Sequence, residues 1–289
     1  MLYVLLSICC SVIVSIMLKL AKRYHVDVLQ AITWNYSTAI LLTWVIFKPQ
    51  LSNLNLQAAP IYNFAALGIL LPILFVILAT SVKLTGIVRT DIAQRLSLFI
   101  PILAANLIFG EALGPLKLVG IAIGFAAIIC SIPWQKGRGG KATSGSWFYL
   151  LIVFIGMGVI DVLFKQLATF KAVPYTTSLF LVFVLAFICS LILLVIKIAR
   201  GKTKFSFPHI LIGWALGIAN FGNILFYLKG HQALANQPST VFTAMNMGVI
   251  VLGTFVGLVI FKEKLTTLNR VGIFLALVAI VVITYASYK

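Results

Sequence analysis

The chain has 289 residues, of which 62% are hydrophobic and only 9% charged, with 22 Lys and Arg against 5 Asp and Glu for a net charge of +17. Soluble domains are about 45–50% apolar and about 25% charged, so this composition excludes a soluble enzyme, a disordered tail and a secreted disulfide scaffold, and points to an all-α integral membrane protein. Five carboxylates leave little room for acid–base or metal chemistry, and no cofactor is expected.

A helix needs about 20 apolar residues to cross the hydrocarbon core, and ten runs meet that length. Span 1 (2–21) opens directly on apolar residues without a basic leader, so it reads as a retained helix rather than a removed signal peptide, and it carries Lys19 near its end. Span 2 (28–47) holds Gln30, Trp34, Asn35 and Tyr36. Span 3 (61–83) follows the breaker Lys48-Pro49, and span 4 (88–109) holds Asp91, Gln94, Arg95 and Pro101. Span 5 (115–133) starts at Gly114-Pro115 and has the small pair Gly120/Gly124. A basic linker (134–146) with Gly-Arg-Gly-Gly then divides the chain. Span 6 (147–169) holds Asp161, Lys165 and Gln166, and span 7 (175–197) ends at Lys197. Span 8 (208–231) holds Trp214, Asn220, Asn223 and Tyr227, span 9 (239–261) holds Asn246 and Gly253, and span 10 (266–287) closes the chain. Cys9, Cys10, Cys130 and Cys189 all lie in apolar runs, and His25, His209 and His231 lack metal-ligand spacing, so no metal site is expected.

The two halves repeat. Glu111, Leu113 and Gly120 recur as Glu263, Leu265 and Gly272, an offset of 152, and Ala66-Leu67-Gly68-Ile69 recurs as Ala215-Leu216-Gly217-Ile218, an offset of 149. Lys19 aligns with Lys165 at an offset of 146. Five spans per half is an odd number, so residues 147–289 should insert opposite to residues 1–133, as two inverted repeats around a central cavity. Charge placement agrees. Lys22, Arg23, Lys83, Arg89, Lys136, Arg138, Lys141, Lys197, Arg200, Lys202, Lys204, Lys262, Lys264 and Arg270 fall on one face, against Lys48, Lys117, Lys171, Lys229 and Lys289 on the other. The positive-inside rule puts the rich face in the cytoplasm and both termini outside. Most of the +17 is thus a topological label rather than a nucleic-acid surface.

The joints Phe109-Gly110-Glu111-Ala112-Leu113 and Phe261-Lys262-Glu263-Lys264-Leu265, each followed by a glycine seven residues after Leu, together with Pro101, resemble the drug/metabolite transporter superfamily in its ten-helix EamA type. The resemblance covers essentially the whole chain; it departs at Lys262, which replaces the joint glycine. It implies an exchanger or proton-coupled carrier of small metabolites. Separately, a plasma membrane, in a bacterium the inner one, is the expected location, and the chain is expected as a monomer or homodimer.

Ionisable groups inside a bilayer are functional candidates by default. Lys19, Asp91, Arg95, Asp161 and Lys165 are therefore the candidates for coupling or gating. Asp91 and Arg95, and Asp161 and Lys165, are both i, i+4, a spacing that permits an intrahelical pair. Pro101 removes a helix hydrogen bond and should free the Ser97 carbonyl, and the repeat sets Pro101 opposite Gly253 as matched helix breaks and Gln94 opposite Asn246. Amides and aromatic rings suit a cavity for a small molecule, which makes Trp34, Asn35, Tyr36, Gln94, Trp214, Asn220, Asn223, Tyr227 and Asn246 the substrate-binding candidates. The alternatives are an intramembrane lipid-modifying enzyme, for which no cluster of nucleophiles or acids is present in sequence, and a passive channel.

Overall fold

In hydrocarbon a backbone must satisfy its own N–H and C=O groups, which long apolar runs do by forming helices. The computed structural model describes residues 1–23, 26–49, 51, 59–85, 87–131, 147–171, 173–260 and 266–288, and among these every regular element is helical. The helices are α1 (Leu2–Arg23), α2 (Val28–Phe47), α3 (Ile61–Thr85), α4 (Ile87–Leu96), α5 (Phe99–Leu107), α6 (Pro115–Ser131), α7 (Trp147–Thr169), α8 (Tyr175–Ala199), α9 (Phe207–Ala233), α10 (Pro238–Val259) and α11 (Thr267–Tyr288). A helix occupies each expected span, and the fourth is split into α4 and α5. His25, the linker 134–146 and the second joint with Lys262, Glu263 and Lys264 lie outside the described residues, as does the side chain of Lys19.

Among the described residues six helices, α3 and α7 to α11, are long and apolar enough to cross a membrane. The exterior suits that solvent. Large apolar side chains such as Leu41, Trp44, Ile218, Phe274 and Val281 turn outward, with Val281 67% exposed. In water so much exposed apolar surface would drive association.

Short connections make neighbouring helices antiparallel, so the bundle has two ends. One end carries the α1–α2, α3–α4, α8–α9 and α10–α11 joints. The other carries the α2–α3, α5–α6, α7–α8 and α9–α10 joints and the N-terminus of α1. In cross-section α2 packs on α8 and α9, α3 on α7 and α8, α1 on α9 and α10, α7 on α4 and α5, and α6 on α11. Small residues set the closest contacts. A Cβ on Gly213 would lie 2.7 Å from the Ala31 carbonyl oxygen, and one on Gly217 would lie 2.7 Å from that of Asn35, so α9 runs directly on the α2 backbone. Gly120 is pressed on Ile283 of α11, and Gly124 faces Thr243 and Met247 of α10, so the α6 glycines serve internal packing.

The split in the fourth span has a local cause. Pro101 offers no N–H to Ser97 one turn earlier, and the chain makes a turn at Ser97–Leu98 before restarting as α5. The expected free carbonyl does not arise: the Ile100 N–H donates to the Ser97 oxygen at 3.0 Å. The matched break at Gly253 does not arise either. Glycine alone leaves the hydrogen-bond ladder intact, and α10 runs through Gly253 without interruption.

At the first end, Asp27 ties the two halves together. As N-cap of α2 its Oδ1 accepts from the Leu29 and Gln30 amides, at 2.9 and 3.2 Å. Its Oδ2 accepts from Lys197 Nζ and Thr203 Oγ1, both at 2.7 Å. Burial pushes the carboxyl up, but the bonds from Lys197 and Thr203, the Gln30 amide and the Lys197 charge more than reverse this and hold it below the ordinary carboxylate range. A carboxyl with a lowered folded pKa stabilises above its unfolded value, near 3.9, and loses that contribution as pH falls through the folded one. Asp27→Ala is expected to lower stability by about 1 kcal/mol through the lost cap. In thermal unfolding the gap to wild type should hold at pH 7 and close on strong acidification; a gap that persists in acid counts against the ion pair.

Candidate functional site

Between the two halves lies a cavity of about 470 Å³. α1 lines it with Ser11, Val14, Ser15 and Leu18, and α3 with Leu71, Leu74, Phe75 and Leu78. The polar side chains come from α2 (Tyr36), α4 (Asp91, Gln94 and Arg95), α7 (Asp161) and α9 (Asn220, Asn223 and Tyr227), with Asn246 from α10. The lining runs from Phe164 of α7 and Tyr227 of α9, both buried, to Leu18 of α1 and the part-exposed Asp91 and Arg95 of α4. The cavity therefore approaches the end of the bundle that carries the α1–α2 and α3–α4 joints.

Three charged side chains face it. Arg95 Nε and Asp91 Oδ2 make the expected i, i+4 pair at 2.9 Å, both part-exposed. Asp161 behaves differently. The expected intrahelical pair with Lys165 is absent; Asp161 Oδ1 instead accepts from the Tyr227 hydroxyl at 2.9 Å. Spacing permits a pair, but Lys165 has partners in the opposite direction. Its Nζ donates to the Ala235 carbonyl at 2.6 Å and stands 5.7 Å from the Phe109 ring centroid. Asp161 is thus left without a cationic partner among the described residues.

The amides are held at different tensions. Asn223 Oδ1 accepts from Ser7 Oγ at 2.8 Å, and Asn246 Nδ2 donates to the Phe242 carbonyl one turn back at 3.0 Å. Gln94 and Asn246, expected opposite each other, both reach the cavity. Three substrate-binding candidates do not. Trp34 packs against Phe187 and Phe205, Asn35 is buried beside Gly217 at the α2–α9 seam, and Trp214 is exposed on the outside with its Nε1 donating to Ser37 Oγ. Successive helix residues point about 100° apart, so only Tyr36 of the three neighbours on α2 faces inward.

Beyond Lys165 the far end is sealed by residues that spacing did not single out for chemistry. Gly110 adopts φ +66°, a left-handed value that favours glycine, and ends α5. The Glu111 amide then donates back to the Ala105 carbonyl at 2.9 Å, which folds the Glu111 side chain under the bundle end. There its carboxylate accepts from Lys117 Nζ at 2.7 Å, and from the Ser239 amide and hydroxyl at 2.8 and 2.6 Å. Glu111 is 5% exposed and Ser239 fully buried. The joint of the first half thereby caps the N-terminus of α10 in the second, where a negative charge is favoured. His231, one turn after Tyr227, is buried between the Tyr227 and Phe242 rings, each 4.7 Å away, and its ring nitrogens have no hydrogen-bond partner among the described residues. No His/Cys/Asp/Glu grouping suited to a metal occurs among the described residues.

No family model matches the chain. An uncharacterised protein of Haemophilus influenzae is 41% identical over 287 residues, covering 96% of each chain. A protein solved by crystallography shares the fold with a TM-score of 0.73 at 16% identity, over 99% of this chain and 97% of the other.

Proposed function

This chain belongs to the same family as that Haemophilus influenzae protein, and from its fold and cavity we propose that it is a secondary active transporter of a small metabolite, integral to the plasma membrane and working by alternating access. The observation that carries the reading is one interior cavity, lined with charges and amides from both halves, that approaches one end of the bundle while a buried ion pair seals the other. A carrier needs such an asymmetry and must be able to reverse it.

Two inverted five-helix repeats supply the means of reversal. Exchanging α1, α2, α3, α4–α5 and α6 for α7, α8, α9, α10 and α11 turns the pairing α1·α9 into α7·α3, α2·α9 into α8·α3 and α1·α10 into α7·α4–α5. It leaves α2·α8 and α6·α11 unchanged, and all of these pairings exist. The correspondence reaches single residues. Gly217 of α9 meets Thr38 of α2, and its repeat mate Gly68 of α3 meets Leu185 of α8. This is the arrangement that the resemblance to drug/metabolite transporters leads one to expect. The charge bias sets the cavity-facing end in the cytoplasm and both termini outside. A reporter fused after Lys289 that works only in the cytoplasm overturns that orientation.

The test is saturable counterflow. Purified protein is first screened by thermal shift against a metabolite library, because a ligand that binds the folded state raises its stability. Compounds that stabilise are then loaded into proteoliposomes. Exchange of labelled compound against unlabelled is the expected result. Stabilising compounds that never exchange, or that emerge chemically altered, overturn the transporter reading in favour of an enzyme.

A further inference from the structure

Two opposite charges lie one turn apart on α7 and do not meet. Lys165 is 1% exposed, yet its ammonium turns away from Asp161 toward the sealed end, to the Ala235 carbonyl and the Phe109 ring. Glu111 is within electrostatic reach of it, but that carboxylate is already occupied by Lys117 and Ser239. Asp161 meanwhile faces the cavity with a neutral hydroxyl as its bonded partner. A carboxylate so placed is poised for a single positive charge, and the lysine one turn along its own helix is held at the seal.

We propose that Lys165 is an intramolecular competitor for the Asp161 site, and that this site takes one cationic group, a proton or a protonated amine. The proposal rests on the alternating-access reading and assigns its ligand. With the far end sealed, Lys165 is engaged there and Asp161 is free to load from the open end. When the seal parts, the Ala235 carbonyl and the Phe109 ring withdraw and Lys165 loses its partners. Residues i and i+4 on a helix lie about 5–6 Å apart at Cβ, within the sweep of a lysine side chain, so Lys165 turns back and displaces the bound cation toward the newly opened end. Asp161 is compensated by the bound cation in one state and by Lys165 in the other, which avoids the cost of leaving that carboxylate alone.

Other groups that face Asp161 must be separated from it in any pH experiment. They are Asp91 and Arg95 on α4, Tyr36 on α2, and Tyr227 on α9 with His231 behind it; α3 and α10 line the cavity without titratable groups, and the α1 side chain Lys19 is undescribed. Asp161→Asn is the control that isolates the site.

The test reads conformation directly. Cys9, Cys10, Cys130 and Cys189 are replaced by serine, and Val249, which lines the cavity, becomes the single reporter in V249C. An impermeant maleimide is applied from either side of vesicles, and the ratio of sealed-end to open-end labelling is followed. In wild type at pH 8 without amine, acidification or added propylamine is expected to lower this ratio, because a filled Asp161 leaves Lys165 at the seal. Asp161→Asn should hold the ratio low and unresponsive. Lys165→Met should raise it about ten-fold, and Lys165→Arg should stay near wild type. A response to pH alone assigns a proton, and a response to propylamine at fixed pH assigns an amine. A ratio indifferent to both overturns the proposal, as does an Asp161→Asn protein that still responds. If Lys165→Met fails to elute as a folded species, the Asp161→Asn and Lys165→Arg arms decide. Counterflow without any labelling response sinks the competitor alone; a labelling response without counterflow sinks the transporter reading alone.

Discussion

Gradient-driven uptake by Asp161→Asn is expected to fall by about 100-fold while the protein remains folded. Asparagine keeps the shape of the side chain, and its carbonyl oxygen still accepts the Tyr227 hydroxyl that Oδ1 accepts at 2.9 Å. What disappears is the charge. A hydrogen bond to a charged group contributes about 1.5–3 kcal/mol, and each 1.4 kcal/mol is worth about ten-fold in occupancy, so losing one such contact at the coupling site gives about two orders of magnitude. Asp91→Asn should act differently, because Asp91 already has a cation, Arg95, at 2.9 Å. Its loss leaves a part-exposed arginine unpaired rather than emptying a site. Uptake equal to wild type in both variants would remove the two acids from the coupling scheme.

The largest structural effect is expected at Glu111. Removing one member of a buried ion pair costs about 3–5 kcal/mol, because the other charge stays behind uncompensated. Lys117 is in that position, with its side chain 7% exposed and its ammonium 2.7 Å from the carboxylate. Glu111→Ala also strips the Ser239 amide and hydroxyl of their acceptor at the start of α10. Thermal unfolding in detergent should show Glu111→Ala as a strongly destabilised protein, and the double variant Glu111→Gln, Lys117→Met should recover much of the loss. Equal stability of Glu111→Ala and wild type would mean that the ammonium finds solvent and that the far end is not sealed.

The spans were legible in the sequence because bilayer thickness imposes a length on apolar runs, and nothing in the packing has to be known to count them. Pro101 likewise signalled a discontinuity in the fourth span, since its ring forbids a backbone bond wherever it sits. The position of the turn, at Ser97–Leu98, depended on which carbonyl the Ile100 amide would reach, and that is decided by the fold. Charged positions were legible as a set, but their partners were not. Asp161 and Lys165 have the spacing of a pair, yet their contacts are made with Tyr227 and Ala235, 66 and 70 residues along the chain. Glu111 stood out as a repeat motif, but its bonds to Ser239 span 128 residues. On α2 the residue types were informative and the helix face was not, so Trp34 and Asn35 were grouped with Tyr36 although one packs among aromatic rings and the other lies in a seam.

The contact of Gly213 and Gly217 with the α2 backbone bears on how the molecule can move. Two rods whose carbonyls and Cα atoms touch have no side-chain cushion between them, so they cannot slide or roll without collision. The α2–α9 seam therefore works as a spar, and α3 also lies close on α8, where Gly68 meets the Leu185 side chain. On the alternating-access reading, displacement falls to the helices packed against these seams, α1 and α7 with the α4–α5 and α10 segments that lean on them. On that reading the parts left to move are the ones that carry Asp91, Asp161 and Lys165.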